Sequence, residues 1–140
     1  MHETEDNEHT IRRRLLVVDD DTMVRQLVSA IAGDIGFEIR EANDGVEAIN
    51  IIKSGNIFDV VIADIRMPGL GGLELLKFLG SFSPHPVIIL VTGYGSVEIA
   101  REAMLCGAFE YLTKPFDIRL VEKTLEAAVY HKKLLDEYQE

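Results

Sequence analysis

Three aspartates stand where short apolar runs end. Leu15-Leu16-Val17-Val18 leads into Asp19-Asp20, and Val60-Val61-Ile62-Ala63 leads into Asp64. Two further runs end in complementary groups. Val87-Ile88-Ile89-Leu90-Val91 precedes Thr92-Gly93, which presents a hydroxyl beside an unhindered backbone N–H. Phe109-Glu110-Tyr111-Leu112-Thr113 precedes Lys114-Pro115-Phe116, which presents an ammonium. Continuous apolar runs of this length, each followed by a helical pattern, argue for parallel strands buried on both faces. In such sheets the carboxyl ends of neighbouring strands converge on one crevice. Three carboxylates in one crevice repel one another and are expensive unless protonated or bound to a cation, so the economical reading is a divalent metal site. An acid cluster joined by a hydroxyl, a free amide and a lysine is what a transferring phosphoryl group needs, with cations for its oxygens and donors to orient it. Asp64 is then the expected nucleophile.

The elements that must position these groups follow from the periodicity. Strands are expected near 14–19, 37–42, 58–63, 86–92 and 108–112, and helices near 22–34, 45–54, 71–80, 95–106 and 117–138. Five strands alternating with five helices imply right-handed crossovers and a three-layer α/β sandwich. Asp21 or Thr22 is placed to cap the first helix, Gly36 follows its end, and Asp44-Gly45 makes the turn into the second. A chain of 140 residues fits one domain, which at this size buries about two-thirds of its unfolded surface. Residues 1–12 are acidic and lack apolar periodicity, so a disordered N-terminal tail is expected there, then one domain over 13–130 and a helical extension over 131–140.

Composition excludes several classes. With 24 acidic against 14 basic residues the formal charge is -10, which disfavours nucleic acid as a direct ligand and favours cations or basic partners. No run approaches the roughly 18–20 apolar residues of a membrane helix, and the N-terminus lacks a signal-peptide core, so a cytoplasmic protein is expected. Cys106 stands alone in a helical pattern and reads as a packing residue. His2, His9, His85 and His131 lie apart, without the spacing of a transition-metal site or a sign of a phosphohistidine relay.

Four motifs in order, Val17-Val18-Asp19-Asp20, Asp64-Ile65-Arg66-Met67-Pro68 with Gly72 beyond, Val91-Thr92-Gly93, and Tyr111-Leu112-Thr113-Lys114-Pro115-Phe116, resemble the receiver domain of bacterial two-component response regulators. The resemblance covers roughly residues 13 to 130. It implies a chemotaxis-regulator-like, flavodoxin-like doubly wound sheet of five parallel strands in the order 2-1-3-4-5. It implies a phosphoacceptor rather than an enzyme, one that assists only its own phosphoryl transfer and autodephosphorylation. Asp64 would take the phosphoryl group from a sensor histidine kinase or from a small donor such as acetyl phosphate. Asp20 and Asp64 would bind Mg²⁺ directly with the backbone carbonyl of Arg66, and Asp19 through a bound water. Lys114 would pair with the phosphoryl oxygens and Thr92 would hydrogen-bond to one of them. Tyr111 would swing inward as Thr92 moves, remodelling the face made by the helix near 95–106, the strand near 108–112 and the last helix. The Lys114–Pro115 bond is expected to be cis. Thr92-Gly93-Tyr94-Gly95 and Lys114-Pro115-Phe116-Asp117 further resemble receivers of nitrogen-regulation type transcription activators.

Some positions depart from the commonest pattern. Gly69-Leu70-Gly71-Gly72 is glycine-rich, which suggests a more mobile loop. Arg66 and Tyr94 occupy the positions that tune dephosphorylation in this family, where they would shield the acyl phosphate from water. In the last helix Ile118, Val121, Leu125, Ala128 and Leu135 fall near a 3-4 spacing that Lys132 interrupts. The overhang beyond Tyr130 reads as a linker to an effector domain or output protein, or as a homodimer contact.

Plainer readings exist for each residue: helix caps for Asp19 and Asp20, a turn for Asp64, a strand-end hydroxyl for Thr92, a solvated charge for Lys114 and a core ring for Tyr111. Two rival functions also stand. One is a docking module that works without phosphorylation. The other is a haloacid-dehalogenase type phosphatase with Asp19 as nucleophile, which needs a further acidic pair after its lysine, where only Asp117 and Glu122 are found.

Overall fold

The structure, a computed structural model, describes residues 13–82, 85–93 and 97–138. The expected N-terminal tail over 1–12 and the shielding role of Tyr94 lie outside these residues. Strands β1 (Arg14–Val18), β2 (Glu38–Ala42), β3 (Val60–Asp64), β4 (Val87–Thr92) and β5 (Glu110–Thr113) alternate with helices α1 (Thr22–Asp34), α2 (Gly45–Lys53), α3 (Gly72–Leu79), α4 (Val97–Leu105) and α5 (Ile118–Tyr138). The strands form one parallel sheet in the order β2-β1-β3-β4-β5, as the resemblance implies.

The sheet separates two cores because successive side chains of a strand point to opposite faces. Leu15, Val17, Val60, Ile62, Val87, Ile89 and Val91 meet Val28 and Ile31 of α1 and Val121 and Leu125 of α5. Leu16, Val18, Val61, Ala63, Ile88 and Leu90 meet Ile51 and Ile52 of α2, Leu75 and Leu79 of α3 and Ala103 of α4. β1, β3 and β4 are thus apolar at every internal position, whereas the edge strands β2 and β5 carry exposed Glu38, Arg40, Glu110 and Thr113. Cys106 is half-buried against the second of these cores, a packing residue as read from the sequence.

Helix ends fall where the local chemistry puts them. The Asp21 carboxylate accepts hydrogen bonds from the Met23 and Val24 N–H groups and caps α1. Asp44 accepts from the Glu47 N–H at the start of α2, while the Glu47 carboxylate accepts from the Asn43 N–H at 2.7 Å. Gly36, at φ +103°, supplies the left-handed residue after α1 that a side chain would resist. The Lys114–Pro115 bond is cis.

α5 differs from its sequence pattern at two positions. Ile118 is 52% exposed and does not join the core. Lys132 does not interrupt the apolar stripe but continues it, buried one turn beyond Ala128. Its stem packs while its ammonium donates to the His85 carbonyl at 3.1 Å and pairs with Asp136 at 3.0 Å, which offsets the cost of burying a charge. His131 stacks on Phe109 with ring centroids 4.9 Å apart, and Leu135 packs against the α1–α5 core. Among the described residues no helix is long and apolar enough to cross a membrane.

Candidate functional site

β1, β3, β4 and β5 all end on one side of the sheet, and their terminal residues meet there. The chain leaves β1 toward β2 on one side and leaves β3 toward β4 on the other, so a crevice opens at the carboxyl ends between them. One carboxylate oxygen each from Asp19, Asp20 and Asp64 lie within 4.8 Å of one another. Asp19 and Asp64 are buried and Asp20 is exposed, so the cluster has a closed floor and an open side.

Lys114 enters the crevice from the end of β5. Its Nζ lies 2.8 Å from Asp64 Oδ2 and 3.2 Å from Asp19 Oδ2. Asp64 Oδ1 accepts from the Arg66 N–H at 2.9 Å, so both oxygens of Asp64 are held, one by a backbone amide and one by the ammonium. Thr92 is buried at the end of β4, and its carbonyl accepts from the Lys114 N–H at 2.9 Å, which ties the β4 and β5 ends together. Tyr111 is half-buried and packs at the rim of the α2–α3–α4 core. Arg66 is exposed beside the cluster. The structure therefore brings Asp19, Asp20, Asp64, Arg66, Thr92 and Lys114 together at one crevice. Tyr111 stands one strand-step behind Leu112 on β5, with its Cα paired to Leu90 rather than to a residue of the acid cluster.

The charges perturb one another. Burial pushes the Asp19 carboxyl above its ordinary value of 3.8, and the negative charge of Asp64 adds to this, against the opposing Asp21 N–H and Lys114. Burial alone would lower the Lys114 ammonium, but its hydrogen bond to Asp64 and the charges of Asp64 and Asp19 outweigh burial and raise it above 10.5.

Two glycines of the loop, Gly71 and Gly72, are close-packed. A Cβ on Gly72 would stand 2.5 Å from the Asp64 carbonyl oxygen, and one on Gly71 would collide with the Ile65 carbonyl. Only glycines let α3 begin directly against the end of β3. The Gly71 N–H also donates to Glu74 at 3.1 Å. Asp117, the acid that a phosphatase reading would have needed, instead caps α5 by accepting from the Arg119 and Leu120 N–H groups.

Sequence reasoning missed Arg25, whose Nη1 donates to the Asp19 carbonyl at 2.8 Å while its Nε donates to Glu41 at 3.1 Å. The available signal was an arginine one turn into the helix that follows three consecutive aspartates.

A family model described as the response regulator receiver domain matches residues 15–126. The chain is 37% identical over 120 residues to the transcriptional regulatory protein ZraR of Klebsiella oxytoca, covering 86% of this chain and 27% of that protein. It is 42% identical over 109 residues to the regulatory protein AtoC of Escherichia coli, covering 78% of this chain and 23% of that protein. It thus spans about a quarter of the length of these curated relatives. Among solved structures, a response regulator receiver domain protein from Clostridium thermocellum superposes with a TM-score of 0.81 at 35% identity, covering 88% of this chain and 98% of that one. Matched over most of its length by the family and by the fold, the chain belongs to the response regulator receiver domains of two-component systems.

Proposed function

We propose that this chain is a phosphorylation-controlled switch in which Asp64 accepts a phosphoryl group from a sensor histidine kinase, and in which the face formed by α4, β5 and α5 passes the change to an output domain or partner. The observation that carries this reading is the Lys114 ammonium held between Asp64 Oδ2 and Asp19 Oδ2 in a crevice of three carboxylates. The donors are all oxygens and one of them is exposed, a set that fits a small hard cation which keeps several of its waters. Asp20, Asp64 and the Arg66 carbonyl would hold Mg²⁺, with Asp19 acting through water. Bound there, the ion would neutralise charge on the transferring phosphoryl oxygens.

The chain's own residues do the rest. An Asp64 carboxylate oxygen attacks phosphorus, the Asp64 O–P bond forms, and the bond from phosphorus to the donor breaks, so that the donor leaves with its electron pair. Lys114, already bonded to Asp64, follows the charge onto the phosphoryl oxygens, and the Thr92 hydroxyl donates to another of them. Each charge-assisted bond is worth about 1.5–3 kcal/mol. That is enough to bias two states a few kcal/mol apart. Movement of Thr92 frees space toward which Tyr111 turns. The face this alters carries exposed Val97, Met104 and Leu105 on α4, apolar side chains suited to a partner or a second copy. The same site would hydrolyse its own acyl phosphate, with Arg66 shielding it. The kinship with transcriptional regulators supports a nitrogen-regulation type output attached beyond α5, and a cytoplasmic setting beside the kinase. The net charge of -10 supports control of that output through protein contacts rather than by direct binding of nucleic acid.

NMR of the chain loaded with beryllofluoride, a phosphoryl mimic, tests the switch. Shifts are expected at Thr92, Tyr111 and along α5. A chain loaded at Asp64 whose Thr92, Tyr111 and α5 resonances stay in place would refute it.

A further inference from the structure

We infer that Arg25 is a positioning residue that sets the direction in which Asp20 faces the crevice. The inference rests on the cation-binding role proposed above for Asp20 and Asp64. Asp20 is exposed, and no side chain among the described residues holds its carboxylate. Its aim is therefore inherited from the backbone on either side of it. Two of the bonds that hold that backbone are made by side chains. The Asp21 N–H donates to Asp19 Oδ1 at 2.9 Å, and Arg25 Nη1 donates to the Asp19 carbonyl at 2.8 Å.

That carbonyl needs a partner from outside the sheet. The β1–β2 register ends at Val18 opposite Ala42, and the Asp19 N–H spends its bond on the Ala42 carbonyl. By the alternation that gives the Glu38 N–H to the Arg13 carbonyl and the Asp19 N–H to the Ala42 carbonyl, the Asp44 N–H would come next, but β2 has ended at Ala42. Left alone, the Asp19 carbonyl would be an unpaired acceptor at the rim of the site. Arg25 fills the place, and it is itself fixed. Its Nε donates to Glu41 Oε1 at 3.1 Å, and Glu41 Oε2 accepts from the Ser29 hydroxyl at 2.7 Å. Arg25 is only 15% exposed along its side chain, so the rigid guanidinium fork spans from β2 to the β1–α1 turn with little freedom. Ser29, Glu41 and Arg25 thus form a strut from the body of the fold to the peptide that carries Asp20.

Two other roles predict different outcomes. If Arg25 acted on the site mainly by its charge, removing it would tighten cation binding. If it served stability alone, the metal-free chain would weaken and cation affinity would stay as it was. A positioning role requires looser binding although a repelling positive charge has been removed, by about tenfold or more, as is usual when the support of a metal ligand is lost.

The test is titration of the whole chain with Mg²⁺, followed through the amide shifts of Asp21 and Arg66, for wild type, Arg25→Met and Arg25→Lys, with urea midpoints measured in EDTA. We expect Arg25→Met to bind about tenfold more weakly, with the Asp21 amide shifted even without metal, and Arg25→Lys, which keeps the charge but loses the fork, to lie between. Equal or tighter binding by folded Arg25→Met overturns the inference. Should Arg25→Met not fold, Arg25→Lys decides, and wild-type affinity in that variant overturns it. Failure of the wild type itself to bind Mg²⁺ would instead overturn the proposed cation site, and this inference with it.

Discussion

Replacing Asp19 by asparagine should stabilise the metal-free protein. Asp19 is 3% exposed and faces two carboxylates and one ammonium. At an effective dielectric of about 20, two unit charges 4.8 Å apart repel by about 3.5 kcal/mol, while the 3.2 Å pair with Lys114 attracts by about 5 kcal/mol. The attraction to Lys114 roughly offsets repulsion by Asp64 and by solvent-screened Asp20, so the balance is set by the cost of burying the charge, the largest influence on Asp19. Solvent reaching the cluster past exposed Asp20 screens part of it, so Asp19→Asn should gain about 1–2 kcal/mol, with Lys114 still paired to Asp64. Asparagine keeps an oxygen for the Asp21 N–H, so the turn survives. The chain has no tryptophan, so urea unfolding in EDTA is best followed by far-UV circular dichroism. A slope of about 2 kcal/mol per molar turns the gain into a midpoint shift of roughly 0.5–1 M. Mg²⁺ should raise the wild-type midpoint and raise that of the variant much less. The sign with pH is fixed as well. Because folding raises the Asp19 carboxyl above 3.8, the native state holds that proton more tightly than the unfolded chain does. The cost of its charge is absent below about pH 4 and sets in as pH rises through the raised value. The advantage of Asn over Asp should therefore be full at neutral pH and vanish in acid. A variant less stable than wild type in EDTA at pH 7, or a gain that persists unchanged below pH 4, would refute the reasoning.

Lys114→Met should leave the carboxylates without their shared ammonium, destabilising the metal-free chain while tightening Mg²⁺ binding, as read by calorimetry; looser binding would contradict the geometry. The Lys114 ammonium is raised by its partners, so its contribution to wild-type stability is complete below pH 10.5 and lost as pH rises through the raised value, a loss that Lys114→Met should not show. Gly72→Ala would put a methyl 2.5 Å from the Asp64 carbonyl oxygen. Displacing α3 or Asp64 to make room should cost about 1–3 kcal/mol in urea unfolding and slow phosphorylation of Asp64 by acetyl phosphate, and a fully active, equally stable variant would count against the close approach.

What was legible in the sequence was legible for physical reasons. Central parallel strands are covered on both faces, so β1, β3 and β4 show as unbroken apolar runs, and all ten elements end within two residues of where periodicity put them. The rule that ligands gather at the carboxyl ends of such strands brought Asp19, Asp20, Asp64, Thr92 and Lys114 to one place before any coordinates. The strand order is a different matter. Glu38-Ile39-Arg40-Glu41-Ala42 is a polar edge strand whose pattern does not name its neighbour, and the order came from the family resemblance alone. Arg25 was invisible because its partner is a main-chain carbonyl, left unpaired only by where β2 stops. Gly71 and Gly72 looked like flexibility and are close packing, a difference set by the Ile65 and Asp64 carbonyls rather than by the glycines. Lys132 looked like a break in the apolar stripe because neither the His85 carbonyl nor the fold of α5 back onto the 85–86 segment is encoded in helical spacing.

The most direct test of the central claim is to map the phosphoryl group itself. The intact chain is incubated with acetyl phosphate and Mg²⁺, the acyl phosphate is trapped by borohydride reduction, and the modified residue is located by mass spectrometry. The modification is expected on Asp64, absent from Asp64→Asn and absent when EDTA replaces Mg²⁺. Modification of Asp19 instead, or none in a folded chain shown to bind Mg²⁺, would contradict it.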